Sequence, residues 1–224
     1  MSDIRHDVAE AARIVVENGT VYTRTGGDPF FFTSGWASPI FIDIKRLISM
    51  PAARDTLVAM ALVRINAVIG AGSFEIIAGC ELAGIPFAAL IADRLRLPLV
   101  VVRKQGKGFG RLAQFEGTFE PGTRALLVDD LSTDGINKAT FRSALERAGA
   151  DVVGTFVLLD YDIFASSRTV TSVMTLADVI TAAEAGRHID ARALEEVKAF
   201  AVDAPRWSKR HGGIGALPRT SDAA

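Results

Sequence analysis

The stretch Arg124–Ala150, RALLVDDLSTDGINKATFRSALERAGA, restricts the possible folds of this chain more than any other. The apolar run from Ala125 to Val128 reads as a buried strand. Two adjacent carboxylates, Asp129 and Asp130, follow at its end, then the small polar loop Ser132-Thr133-Asp134-Gly135. A helix is expected from about Asn137 to Ala148, stopped by Gly149. This order sets loop N–H groups and the positive end of a helix beside two acids. A phosphate can sit on such a loop while the carboxylates accept hydrogen bonds from sugar hydroxyls. The alternative is plainer: Ser132 or Asp134 caps the helix of an ordinary parallel-sheet unit.

The flanking sequence favours the first reading. From Phe74 onward short apolar runs alternate with helical patterns: FEIIAG, then ELAGIPFAALIADRL, then PLVVVRK, ALLVDD and finally DVVGTFVLLD, read as the last strand. Such alternation implies a mostly parallel sheet covered on both faces. Ligands of these sheets lie beyond the carboxyl ends of the strands. Those ends carry Gly79-Cys80-Glu81, Arg103-Lys104 and Asp129-Asp130, so three polar groupings converge on one rim.

Before the sheet, Asp3 to Asn18 has helical spacing of its apolar residues and Gly19 as its stop. Val21-Tyr22 and Phe30 to Thr33 read as strands joined by the turn Gly26-Gly27-Asp28-Pro29, and Pro39 to Ile44 as a third. This antiparallel patch is expected to form a small hood, from about residue 20 to 46, over an active site. Pro51 to Ile69 suits a helix with Ser49 as its cap. Between Lys104 and Glu116, QGKGFGRLAQF is rich in glycine and base, which suits either a solvated surface loop or a mobile cationic flap. After Asp160 a helix is expected over Asp190 to Phe200, with Trp207 to Gly213 as loop. The whole is read as one domain, residues 1–224, with part of the C-terminal region joining the hood.

Composition excludes several classes. The net charge of −1 argues against a general nucleic-acid binder. No run approaches the roughly 18 apolar residues that cross a bilayer. The acid-bearing N-terminal segment does not read as a secretory signal. A single cysteine, Cys80, excludes an internal disulfide and suits a reducing compartment, so a cytoplasmic location is expected. In its apolar setting Cys80 reads as a buried structural thiol rather than a nucleophile. His6, His188 and His211 are scattered and show no metal-ligand spacing.

LLVDDLSTDG resembles the phosphoribosyl-pyrophosphate (PRPP) motif of type I phosphoribosyltransferases. Three further stretches narrow the likeness to the orotate phosphoribosyltransferase family. FTSGWASPIFID resembles its Ser-Gly-x-x-Ser-Pro segment near the pyrimidine, and GCELAGIPFAALIADRL its pyrophosphate-side loop and helix. VRKQGKGFGRLAQFEG resembles its flexible Arg-Lys-x-x-Lys-x-His-Gly loop. The likeness runs in order from about residue 10 to 160. It implies an α/β fold with a mostly parallel central sheet flanked by helices, and Mg²⁺-dependent transfer of phosphoribose from PRPP to orotate in the making of UMP. Asp129 and Asp130 would bind the ribose hydroxyls. The backbone of Leu131, Ser132, Thr133, Asp134, Gly135, Ile136 and Asn137 would bind the 5′-phosphate. Gly79, Cys80, Glu81, Leu82, Ala83 and Gly84 would face pyrophosphate, with cations from Arg103, Lys104, Lys107 and Arg111. Lys107, Asp129 and Asp130 would be the catalytic set, and Thr33, Ser34, Gly35, Phe41 and Thr133 would lie toward orotate. The metal would come with PRPP rather than be held by protein alone, and a homodimer is implied by a flap that reaches the neighbouring subunit.

Some positions depart from that pattern. Phe109 stands where the loop has histidine, Ile136 and Asn137 where small or hydroxylated residues are usual, and Thr33 where lysine is frequent. Asp160-Tyr161-Asp162, after the strand read as the last, offers no obvious counterpart to the arginine that pairs with the orotate carboxylate. Two alternatives therefore stay open: a phosphoribosyltransferase for another base, and a ligand-binding or regulatory protein of the same fold without turnover.

Overall fold

The computed structural model describes residues 2–70, 72–106, 114–164 and 170–216, with side chains from Asp7 onward. Five parallel strands and one antiparallel edge strand form the central sheet. These are β5 (Ile76–Cys80), β6 (Leu99–Val102), β7 (Phe115–Glu116), β8 (Arg124–Ser132), β9 (Asp151–Asp160) and β10 (Val170–Thr175), in the spatial order β10-β9-β8-β5-β6-β7. Side chains alternate across it, as the twofold period of a strand requires. Ala125 and Leu127 of β8 pack under α4 (Ile136–Arg147), against Phe141 and Leu145. Leu126 and Val128 face the opposite core, shared with α1 (Ser2–Glu17), α2 (Pro51–Val68), α3 (Gly84–Leu95) and α5 (Leu176–Gly186). Both faces are thus covered, and the alternation of apolar runs is explained.

Several boundaries differ from expectation. The central strand does not stop at Val128 but continues to Ser132, because β9 extends beside it and pairs Asp129 with Val157 and Ser132 with Asp160. DVVGTFVLLD is not the last strand. VTSVMT adds β10 in parallel with β9, its hydroxyl residues having masked the pattern. α5 follows directly, started by a capping box in which Thr175 and Asp178 satisfy each other's backbone N–H groups. The expected helix near Asp190 is α6 (Ala191–Val202), and Trp207 to Gly213 is not loop throughout. α7 spans Ala204–Arg210, with Asp203 accepting from the Arg206 N–H at 3.1 Å and a proline in its first turn.

The N-terminal patch is antiparallel but paired differently from the expected hairpin. β1 (Val21–Thr23) pairs with β4 (Ile40–Ile42), while β2 (Phe30–Phe31) pairs with β3 (Ala37–Ser38). Pro39, which has no N–H to give a ladder, separates β3 from β4, and of the third expected strand only Ile40–Ile42 forms. Ile44, expected to end the strand, instead opens a 3₁₀ turn over Ile44–Ser49, and Met50, not Ser49, stands at the N-cap of α2. The Ser49 hydroxyl donates instead to the Arg46 carbonyl at 2.9 Å.

The chain's C-terminal part is tied to this patch. Ser208 Oγ accepts from the Ala37 N–H at 3.0 Å and donates to the Ile214 carbonyl at 2.7 Å, and the Ile214 N–H reaches Gly35 O at 3.0 Å. Gly213 makes the approach possible, since a Cβ there would stand 2.4 Å from Ala37 N.

Candidate active site at the strand rim

Register brings the polar groupings together. Gly79 is level with Val128 across β5 and β8, and Cys80 with Val102 across β5 and β6. Asp129 therefore stands level with the ends of β5 and β6, while β9 continues beside β8. Two glycines let the next helix close over this rim. A Cβ on Gly79 would lie 2.8 Å from the Ala88 Cβ, and one on Gly84 would lie 2.7 Å from Asp129 Oδ1 and 2.8 Å from its Cα. The turn Glu81–Ala83 between them includes a cis peptide at Glu81–Leu82. Glu81 and Leu82 are exposed, while Cys80 is fully buried. Burial, then the nearby Asp129 carboxylate, pushes the Cys80 thiol well above its ordinary value. It is the structural thiol expected.

The two acids are not alike. Asp129 is buried and both its oxygens are engaged. Oδ1 accepts the Asp130 N–H at 2.9 Å, and Oδ2 accepts Lys138 Nζ at 2.5 Å. Asp130 is half-buried and has no ion-pair partner among the described residues. Burial, with the Asp129 charge adding to it, raises Asp130 to about 7. Lys138 was absent from the residues singled out in the sequence. It sits in the first turn of α4, where the helix dipole disfavours a cation. A lysine there needs a carboxylate, and this was a readable signal. Burial opposes its charge, but Asp129 more than offsets this and Lys138 titrates above an ordinary lysine.

The loop after β8 is held from the hood. Gly135 takes φ +77° to start α4, a left-handed conformation that favours glycine. Asp134, buried, accepts the Ile136 N–H at 3.1 Å through Oδ1 and the Trp36 indole N–H at 3.1 Å through Oδ2. Its charge is thus turned toward the hood, and Asp134 fulfils part of the capping alternative. Ser132 is enclosed, with its hydroxyl beside the Asp160 carboxyl of β9. Leu131, Thr133, Gly135 and Asn137 are half-buried, and Ile136 is exposed.

Arg103, just after β6, forms an ion pair with Glu116 of β7, and the Lys104 N–H donates to Glu81 Oε2 at 2.9 Å. Lys104 is thereby tied to the turn before α3. Lys107, Phe109 and Arg111 lie outside the described residues. In the hood, Thr33 is exposed and Ser34 and Gly35 are half-buried. Phe41 packs against Phe30, ring centroids 5.7 Å apart, with Lys45 Nζ 5.6 Å from its own ring.

A cavity of about 750 Å³ opens elsewhere, lined by residues such as Val16, Arg64, Met174, Ala182 and His188. Its size does not make it the reactive site, since the acids and the two loops gather at the rim. Among the described residues no three His, Cys, Asp or Glu side chains cluster as a metal cage. The rim's oxygen donors suit Mg²⁺ only as an ion shared with a phosphate-bearing ligand, the usual way this cation is held. No helix among the described residues is long and apolar enough to cross a membrane.

No protein-family model matches the chain. Among curated proteins, it is 43% identical to an orotate phosphoribosyltransferase of Rhizobium etli, over 84% of this chain and 85% of that one. It is 39% identical to the enzyme of that name from Sinorhizobium medicae, covering 92% of each. Among solved structures, orotate phosphoribosyltransferase from Aeropyrum pernix superposes with a TM-score of 0.65 at 28% identity, over 80% of this chain and 99% of that one. Leishmania donovani UMP synthase superposes at 0.73 with 26% identity, over 86% of this chain and 42% of the longer protein. With identity at this level over most of both chains, and a rim built as described, the chain belongs to the orotate phosphoribosyltransferase family.

Proposed function

We propose that the chain catalyses the reaction of orotate with PRPP, giving orotidine 5′-monophosphate and pyrophosphate. A ring nitrogen of orotate gives up its proton, which the released pyrophosphate can carry, and bonds to the anomeric carbon, while the bond to pyrophosphate breaks with its electron pair on the leaving oxygen. Positive charge develops on the ribose, so rigid placement and charge complementarity are the principal tasks of the protein. The acid pair takes the ribose hydroxyls. Thr133 and the N–H groups from Leu131 to Asn137, at the start of α4, take the 5′-phosphate. The turn from Gly79 to Gly84 faces pyrophosphate, and Arg103, Lys104, Lys107 and Arg111 supply cations. Thr33, Ser34, Gly35 and Phe41 belong to the orotate side. Mg²⁺, when bound with PRPP, offsets the charge of the leaving group.

The same proposal includes a single catalytic domain with its hood, a homodimer in which the flap serves the partner's site, and a cytoplasmic location. Its main support is 39–43% identity to enzymes named for this activity. A mixture of the purified chain, orotate, PRPP and Mg²⁺ should lose orotate absorbance. Binding of PRPP without any loss would favour the ligand-binding alternative, and loss with a different base would favour another acceptor.

A further inference from the structure

Orotate is a flat ring carrying a full negative charge on its carboxylate, so a site that selects it needs a cation beside a wall for the ring. We infer that Lys45 is this cation: its ammonium meets the orotate carboxylate beside Phe41 and is the group that distinguishes orotate from a pyrimidine lacking that charge. The inference rests on the proposed use of the hood as the orotate side and names a specificity-determining residue within it.

The end of β9 supplies no such charge. Asp160 and Asp162 flank Tyr161 there, and Tyr161 is buried, edge-on to Phe32 with ring centroids 5.8 Å apart. Burial pushes its phenol up, so it stays neutral. Tyr161 thus closes the hood against the sheet, and the two acids beside it repel an anion.

Several cations of the hood and rim are engaged otherwise. Lys138 is bonded to Asp129, and Arg103 is paired with Glu116. Arg46 donates to the Tyr22 hydroxyl, and Arg24 lies over Phe30, 4.3 Å from the ring centroid. Lys45 instead stands on the 3₁₀ turn that packs against β8, with Nζ 5.6 Å from the Phe41 centroid. Its charge reaches Asp130 and eases the ionisation of that acid. One ammonium is thereby shared by the ring assigned to orotate and an acid assigned to ribose. In orotate the carboxylate sits on the carbon next to the nitrogen that bonds ribose, so it arrives close to the sugar and its acids.

The pair with Asp43 does not consume Lys45. Nζ is 3.0 Å from Asp43 Oδ1, and the lysine side chain is 52% exposed. So exposed a pair contributes little to stability. An ammonium has three N–H donors, and one carboxylate leaves others for a ligand. Asp43 steadies the ammonium at the hood.

Orotidine 5′-monophosphate and UMP differ by this carboxylate alone, which makes them the probes. Calorimetry measures the affinity of each for wild type, K45M, K45R and R24Q. Wild type should prefer orotidine 5′-monophosphate by about tenfold or more. K45M should lose most of that preference, binding orotidine 5′-monophosphate about tenfold more weakly and UMP within about twofold of wild type. K45R should keep most of the preference and R24Q all of it. In turnover, K45M should raise the KM for orotate and leave that for PRPP unchanged. UMP binding itself reports a folded site, and the exposure of Lys45 leaves the core untouched by its loss. A wild-type preference in K45M would overturn the inference. So would an equal loss for both nucleotides, since Lys45 would then support the hood or meet the phosphate. Loss of the preference in R24Q but not in K45M would also overturn it and give the role to Arg24. Equal binding of the two nucleotides by wild type would fail the orotate assignment and take the inference with it, a result distinct from a preference that survives K45M.

Discussion

At the level of single residues, Asp130 is the half-buried acid of the proposed ribose site. Replacing it with Asn keeps the shape but removes the charge, and orotate consumption should fall by about 100-fold or more in a steady-state assay. Gly84→Ala sets a methyl group 2.7 Å from Asp129 Oδ1 and against backbone, so the helix must retreat from the strand. We expect a loss of about 1–3 kcal/mol in urea unfolding, together with weakened PRPP binding. Asp160 gives a pH prediction. Its carboxyl is buried and raised to about 6, chiefly by loss of solvent. Between the unfolded value, about 4, and this one, the native state holds a proton that the unfolded chain releases. Stability therefore falls as pH rises through that window. Asp160→Asn abolishes this part of the dependence, and at pH 8 its thermal midpoint should exceed that of wild type, with little difference near pH 4. A midpoint at or below wild type at both pH values would contradict the assignment.

Among the elements, the ones that could be read in advance had a pure periodicity or a proper stop signal. α1, α2 and α4 were within a residue or two of expectation, because Gly19 and Gly149 stop two of them and Pro51 starts the third. β10 and α5 were not read, although Thr175 and Asp178 hold the spacing of a capping box. The strand was hidden by Thr171 and Ser172, which stand beside β9 at the sheet's edge. Thr175→Ala removes one half of the cap, and we expect about 1 kcal/mol of destabilisation by thermal melting. The flap supplies another prediction at this scale. On the proposed role of Lys107 in stabilising the charge of the transition state, Lys107→Ala should slow orotate turnover by about 100-fold with an unchanged circular dichroism spectrum.

Over the whole molecule, the proposed homodimer predicts a light-scattering mass twice that of one chain, and a sample that remains monomeric while active would refute the shared flap. The sequence by itself determined the parallel sheet, the strand–acid–loop–helix unit and the family, since these follow from local periodicity and contiguous motifs. The three rim groupings were also legible, because in a parallel sheet all carboxyl ends point the same way. Only the tertiary structure decided that Trp36 holds the loop through Asp134, that Ser208 anchors the hood, and that Lys138 claims Asp129. The first two join residues far apart in the chain, and the third depends on which way a helix turns its lysine. Burial and pairing of polar groups are fixed by packing, where an unpaired charge is costly, and no local pattern records it.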